Sequence, residues 1–175
     1  GMTGRPFPFS LRLEAGSDGR YFGSSSYQNR FGQLRLALHT SYSRGDEFSL
    51  PSDFKSTANE DGGRRDNSAF RNWSGGVKLR YDFGPRHQLG LNMSHIDNTY
   101  QIPPNTRTRF IRYWRFPDWQ KTIYSLSSRH LFSSAFIVRT VLFHDTYHNL
   151  LKSYDDDSYS TQNMRYAWDS EYDDY

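Results

Sequence analysis

At 175 residues, of which 35% are hydrophobic and 17% aromatic, the chain keeps its apolar content in rings and short alternating sets. No apolar run approaches the roughly 20 residues of a transmembrane helix, and a disordered chain would be poor in aromatics, so both classes are excluded. A net charge of +3, from 22 basic and 19 acidic residues, is too balanced to point to nucleic acid, and the absence of cysteine removes disulfide frameworks and thiolate metal sites.

Read for period two, the chain breaks into seven candidate strands. Residues 1–8 read as a leader or loop. In the first strand Phe9, Leu11, Leu13 and Ala15 alternate with Ser10, Arg12 and Glu14. Ser17-Asp18-Gly19 is a turn signal, and a weaker strand follows over 20–28. The third is the clearest, with Leu34, Leu36 and Leu38 opposite Arg35, Ala37 and His39. The fourth sets Trp73, Gly75, Val77, Leu79, Tyr81 and Phe83 against Ser74, Gly76, Lys78, Arg80 and Asp82. The fifth sets Leu89, Leu91 and Met93 against Gly90, Asn92 and Ser94. The sixth spans about 119–131, with Thr122, Tyr124 and Leu126 as its apolar face. The seventh spans about 136–151 and is apolar on both faces. Met164, Arg165 and the acidic residues after them read as a loop, because no aliphatic alternation is present.

The connections alternate in length. Gly84-Pro85 and Ser133-Ser134 are tight turns, whereas 44–70, 99–118 and 154–175 are long and polar. This places every long connection at one end of the sheet. Soluble β-domains rarely carry several such loops, while outer-membrane barrels pair short periplasmic turns with long outward loops. Several strands reach the roughly 9–11 residues of a tilted membrane strand. Aromatics gather where strands end: Tyr42, Trp73, Tyr81, Phe83, Tyr100, Trp114, Trp119 and Phe132. A single sheet needs a second layer, and no amphipathic helix is available to supply one. Lipid would.

Three stretches carry a family resemblance: 11–19 (LRLEAGSDG), 76–104 (GVKLRYDFGPRHQLGLNMSHIDNTYQIPP) and 113–156 (beginning YWRFPDWQK). They resemble strands and hairpins from the early barrel of TonB-dependent outer-membrane receptors. The resemblance implies an all-β, antiparallel up-and-down transmembrane barrel, of which 9–175 would form a part of about seven strands. It also implies a bacterial outer-membrane location and import of a nutrient such as a ferric siderophore or a cobalamin-like ligand. Such receptors have a barrel of about 22 strands with a plugged lumen. The plug and the box that engages TonB find no counterpart before Phe9, so this chain alone is expected neither to transport nor to fold as a monomer in water. A small non-transporting barrel serving as anchor or adhesin, and a soluble β-sandwich binding module, remain alternatives.

No catalytic set, cofactor motif or metal site stands out. His144 and His148 are four apart, which on a strand is about 13 Å and too far for one ion. Asp155, Asp156 and Asp157 lack the glycine and closing glutamate of a calcium loop. The densest basic-aromatic cluster is Arg107, Arg109, Arg112, Tyr113, Trp114 and Arg115. Arginine suits anionic groups, so these residues are the candidate ligand-facing set, for an anionic metal chelate or the phosphates of lipopolysaccharide. Membrane lipid is the other expected partner, and nucleic acid is not one.

Overall fold

A computed structural model describes residues 8–107 and 110–174, and Arg109 therefore lies outside the described residues. One eight-stranded antiparallel sheet runs in sequence order: β1 (Phe9–Ala15), β2 (Tyr21–Phe31), β3 (Leu34–Gly45), β4 (Phe70–Asp82), β5 (His87–Ile102), β6 (Tyr113–Leu131), β7 (Ile137–Tyr154) and β8 (Trp168–Asp174). Each strand pairs only with its neighbours in sequence, so the sheet is an open up-and-down meander. The only helix among the described residues is a single 3-10 turn, Met164–Tyr166.

The turns follow from their residues. Asp18 and Gly19 both adopt left-handed φ, +58° and +61°, as an Asp-Gly turn requires. Gly32 (+60°) and Gly84 (+76°) close the next two short turns of the opposite end. The long connections 46–69, 103–112 and 155–167 share one end with the Asp18-Gly19 turn, as the alternation of lengths requires.

Two expectations are corrected. The segment expected to end the chain as a loop contains β8, so eight strands form where seven were anticipated. The loop expected over 99–118 shrinks to 103–112, because Tyr100 pairs with Phe116 and Ile102 with Trp114. Pro103-Pro104 ends β5, while Pro117 is accommodated where the β6–β7 register shifts between Arg115 and Asp118.

Cross-strand register sorts most side chains of β3 to β5 by kind. Leu36, Leu79, Leu91, Leu126 and Leu142 lie in one row across β3 to β7, and Leu38, Val77, Met93 and Tyr124 lie in the row beside it. The opposite face carries Arg35, Lys78, Arg80, Asp82, Lys121 and Asp145. There Asp82 binds Arg35 and Arg80 at 3.1 Å each, and Lys121 binds Asp145 at 2.6 Å. Consecutive glycines serve both faces. The Trp73 ring lies over Gly75, 3.2 Å from where a Cβ would stand, and the His39 ring occupies the equivalent space over Gly76.

This sheet has almost no core. Phe116 and Leu151 are the only buried hydrophobic side chains among the described residues, while Leu91 is 45% exposed and Leu142 61%. A solitary layer leaves that leucine face uncovered, far beyond the scattered apolar exposure usual for a monomer in water. Aromatics bracket the uncovered belt. On β4 Trp73 and Tyr81 stand eight residues apart, and on β2 Tyr21 and Phe31 stand ten apart, all on the leucine face.

Candidate functional site

The three long connections pack against one another as a crown over the end of the sheet. Asn67 is its hub. It is 1% exposed, and its φ of +53° is a conformation asparagine tolerates better than most residues. Its backbone N–H donates to Glu47 Oε1 at 3.0 Å, and its Nδ2 donates to the carbonyls of Ile102 (2.7 Å) and Trp114 (2.9 Å). Its Oδ1 accepts from Arg115 Nε at 2.8 Å. One side chain thus ties 46–69 to both strands that flank 103–112. Arg65 adds a second tie, donating to Glu60 and to the Pro104 carbonyl, and Asn59 donates to the Asn105 carbonyl at 2.8 Å.

Arg115 carries the connection on to 155–167. Its guanidinium lies 4.0 Å from the centroid of the Tyr159 ring, which also meets Tyr113 and Tyr154 edge-on. Burial pushes the Tyr159 hydroxyl well above the usual phenol range, so it stays protonated and neutral.

Beside this hub a cleft of about 600 Å³ opens between 103–112 and 155–167. Arg112, Trp114, Tyr154, Arg165, Tyr166 and Trp168 supply its aromatic and cationic lining. Arg112 lies 4.7 Å from the Trp114 ring centroid, Arg165 lies 5.2 Å from that of Tyr166, and Trp114 meets Trp168 edge-on. Flat rings with guanidinium groups held over them suit a ligand that is planar in part and anionic in part. A shallow groove of about 530 Å³ on the leucine face, around Thr40, Gly75 and Trp73, is lined almost wholly by apolar atoms. It has no comparable set of charged groups to orient a ligand.

Of the candidate residues, Arg112, Tyr113 and Trp114 line the cleft. Arg115 is drawn into the hub instead, and exposed Arg107 stands at the tip of 103–112, its N–H bonded to Asn105 Oδ1. Arg165, Tyr166 and Trp168 complete the cleft and were missed, although their basic-aromatic order repeats that of Arg112 and Trp114. Asn67 carried no signal, since its importance arises from what it reaches across some 35–48 residues of sequence. Asp155 also lines the cleft, whereas His148 and Asp156 are engaged elsewhere. His148 bridges Asp118 (3.2 Å) and Asp169 (2.7 Å), and Asp156 accepts from the N–H and hydroxyl of Ser158.

Comparison with known proteins adds no relative: no family model, curated protein or solved structure matches the chain.

Proposed function

We propose that this chain forms part of the wall of an outer-membrane β-barrel, in a TonB-dependent receptor that imports a small anionic nutrient such as a metal chelate. The observation that carries the membrane part is the uncovered leucine belt bracketed by aromatics on a one-layer sheet. Eight residues of strand span ~27 Å and ten span ~34 Å. At a tilt of roughly 35–45° these become about 19–28 Å along the membrane normal, which brackets the roughly 25 Å apolar band of such barrels. The opposite face, with its Arg35–Asp82–Arg80 and Lys121–Asp145 pairs, suits a wet lumen. The crown then faces outward, where it meets lipopolysaccharide and incoming ligand.

The receptor part rests on the sequence resemblance and on the cleft. Arg112, Arg165, Trp114 and Trp168 supply a recognition surface, and no catalytic step is assigned to them. A self-contained small barrel is less well supported, because β1 pairs only with β2 and β8 only with β7. A soluble sandwich would require a second sheet over the leucine belt.

The test is size-exclusion chromatography and circular dichroism of the purified chain with and without detergent. An ordered sheet only in detergent or vesicles is the expected result. A monodisperse, cooperatively melting β-sheet monomer in plain buffer would overturn the membrane reading.

A further inference from the structure

Loop 46–69 folds back on itself as a small hairpin, with Leu50 N–H donating to the Gly63 carbonyl and Arg65 N–H to that of Phe48. Gly62 and Gly63 hold φ of +100° and +76°, values that would strain a residue with a side chain. The reversal brings Glu60, Asp61 and Asp66 together, with one carboxylate oxygen from each within 4.8 Å of the others. Two oxygens bound to one calcium ion at about 2.4 Å can be at most about 4.8 Å apart, so this spacing is that of one coordination sphere.

Clustered acids alone prove nothing, since exposed carboxylates often crowd together. Here one is not exposed. The Glu60 side chain is fully buried. Its Oε2 accepts from Arg65 and from the Asp66 N–H, while its Oε1 is buried with no hydrogen-bond partner. A buried, unpaired carboxylate oxygen is costly, and native structures rarely leave one without water or an ion. The crowding also acts on Asp66, whose pKa is raised first by burial and then by the negative charges of Glu60, Asp61 and Glu47. Arg65 neutralises one charge of the group and is shared with the Pro104 carbonyl.

We propose that Glu60, Asp61 and Asp66 bind a divalent cation of the calcium class, with Glu60 Oε1 as the buried ligand, and that the ion fixes loop 46–69 against 103–112. All three donors are hard carboxylate oxygens, and the exposed position of Asp61 leaves room for water ligands, as calcium's six to eight positions allow. The bound ion would hold the hairpin closed and so hold Arg65 on Pro104 and Asn59 on Asn105. The inference does not depend on the membrane reading.

The test uses the full chain in whichever of detergent or buffer gives a β-sheet circular-dichroism signal. Trypsin cleavage at Lys55, Arg64 and Arg65 is followed with calcium chloride and with EDTA, and terbium luminescence excited through the aromatics reports occupancy. Calcium at about ten times its Kd should slow cleavage of the loop about tenfold. Asp61→Asn, a surface change that leaves the fold in place, should weaken terbium binding and calcium protection together, and Glu60→Gln should remove both. Cleavage rates indifferent to calcium and an absence of terbium luminescence would overturn the proposal.

Discussion

Val77 stands midway between Trp73 and Tyr81 on β4, flanked across the sheet by Leu38 and Met93. If the leucine belt meets lipid, Val77 lies near the bilayer midplane, where arginine costs about 2–4 kcal/mol. That is a fall of about 30-fold to about 700-fold in the folding equilibrium. Tyr81→Arg, at the girdle, should cost only about 0–1 kcal/mol by the same depth dependence. Ser125→Arg lies on the opposite face between Asn92 and Phe143 and should cost less than about 1 kcal/mol, because a wet lumen solvates the guanidinium. The assay is reversible urea unfolding of the vesicle-inserted chain, followed by tryptophan fluorescence, with unchanged m-values as the check that the same structure unfolds. Val77→Arg within about 0.5 kcal/mol of the parent, or Ser125→Arg costing as much as Val77→Arg, would refute the assignment of faces.

Asn67→Ala should lower the protection of loop 46–69 by about 1–3 kcal/mol in hydrogen exchange, since Arg115 and two buried carbonyls lose their partner. Asn67→Gly, which keeps the left-handed backbone, should recover only the conformational part of that loss. Arg112→Ala and Trp114→Ala should each weaken binding of an anionic ferric chelate by about 1–2 kcal/mol in a fluorescence titration, whereas Arg107→Ala should leave it unchanged. The raised pKa of Asp66 sets a pH dependence with a definite sign. Without divalent cation, loop protection should increase as pH falls through the folded-state value and level off below the unfolded 3.8, and Asp66→Asn should remove that change. If the chain belongs to an outer-membrane receptor, protease added outside intact cells should cut in 46–69 or 103–112 and spare Gly84-Pro85.

The strands that were legible in the sequence are those whose two faces differ in kind. Strands β3 to β5 alternate aliphatic with charged or small residues, and their register sorts them as the alternation indicates. The ambiguity of β7 is physical. Leu142 lies beside Leu126 in the belt, while Val141 and Phe143 lie on the opposite face at 67% and 49% exposure. β8 was missed because its alternation is aromatic against acidic: Trp168, Ser170 and Tyr172 on one face, Asp169, Glu171 and Asp173 on the other. It pairs with residues 145–151 of β7, so Glu171 lies in the row of Trp73 and Asp173 in that of Gly75 at the crown-side edge of the leucine face, while on the other face the Tyr172 ring stacks on Tyr147 at 4.8 Å. The cleft was half legible, since Arg112, Tyr113 and Trp114 are contiguous in the chain. Arg115 belongs to the same contiguous run, and its turn toward Asn67 and Tyr159 is a direction that composition does not fix. The Glu60 cluster was invisible, because only the turn at Gly62-Gly63 brings it together.

The most direct test of the membrane account is quenching of single tryptophans by brominated lipid. Trp73 lies on the leucine face at the edge of the belt, and Trp119 lies on the opposite face against Tyr147. With the other tryptophans changed to phenylalanine, Trp73 should be quenched strongly in brominated vesicles and Trp119 hardly at all. Equal quenching of the two, or an order reversed in favour of Trp119, would contradict a leucine face turned to lipid.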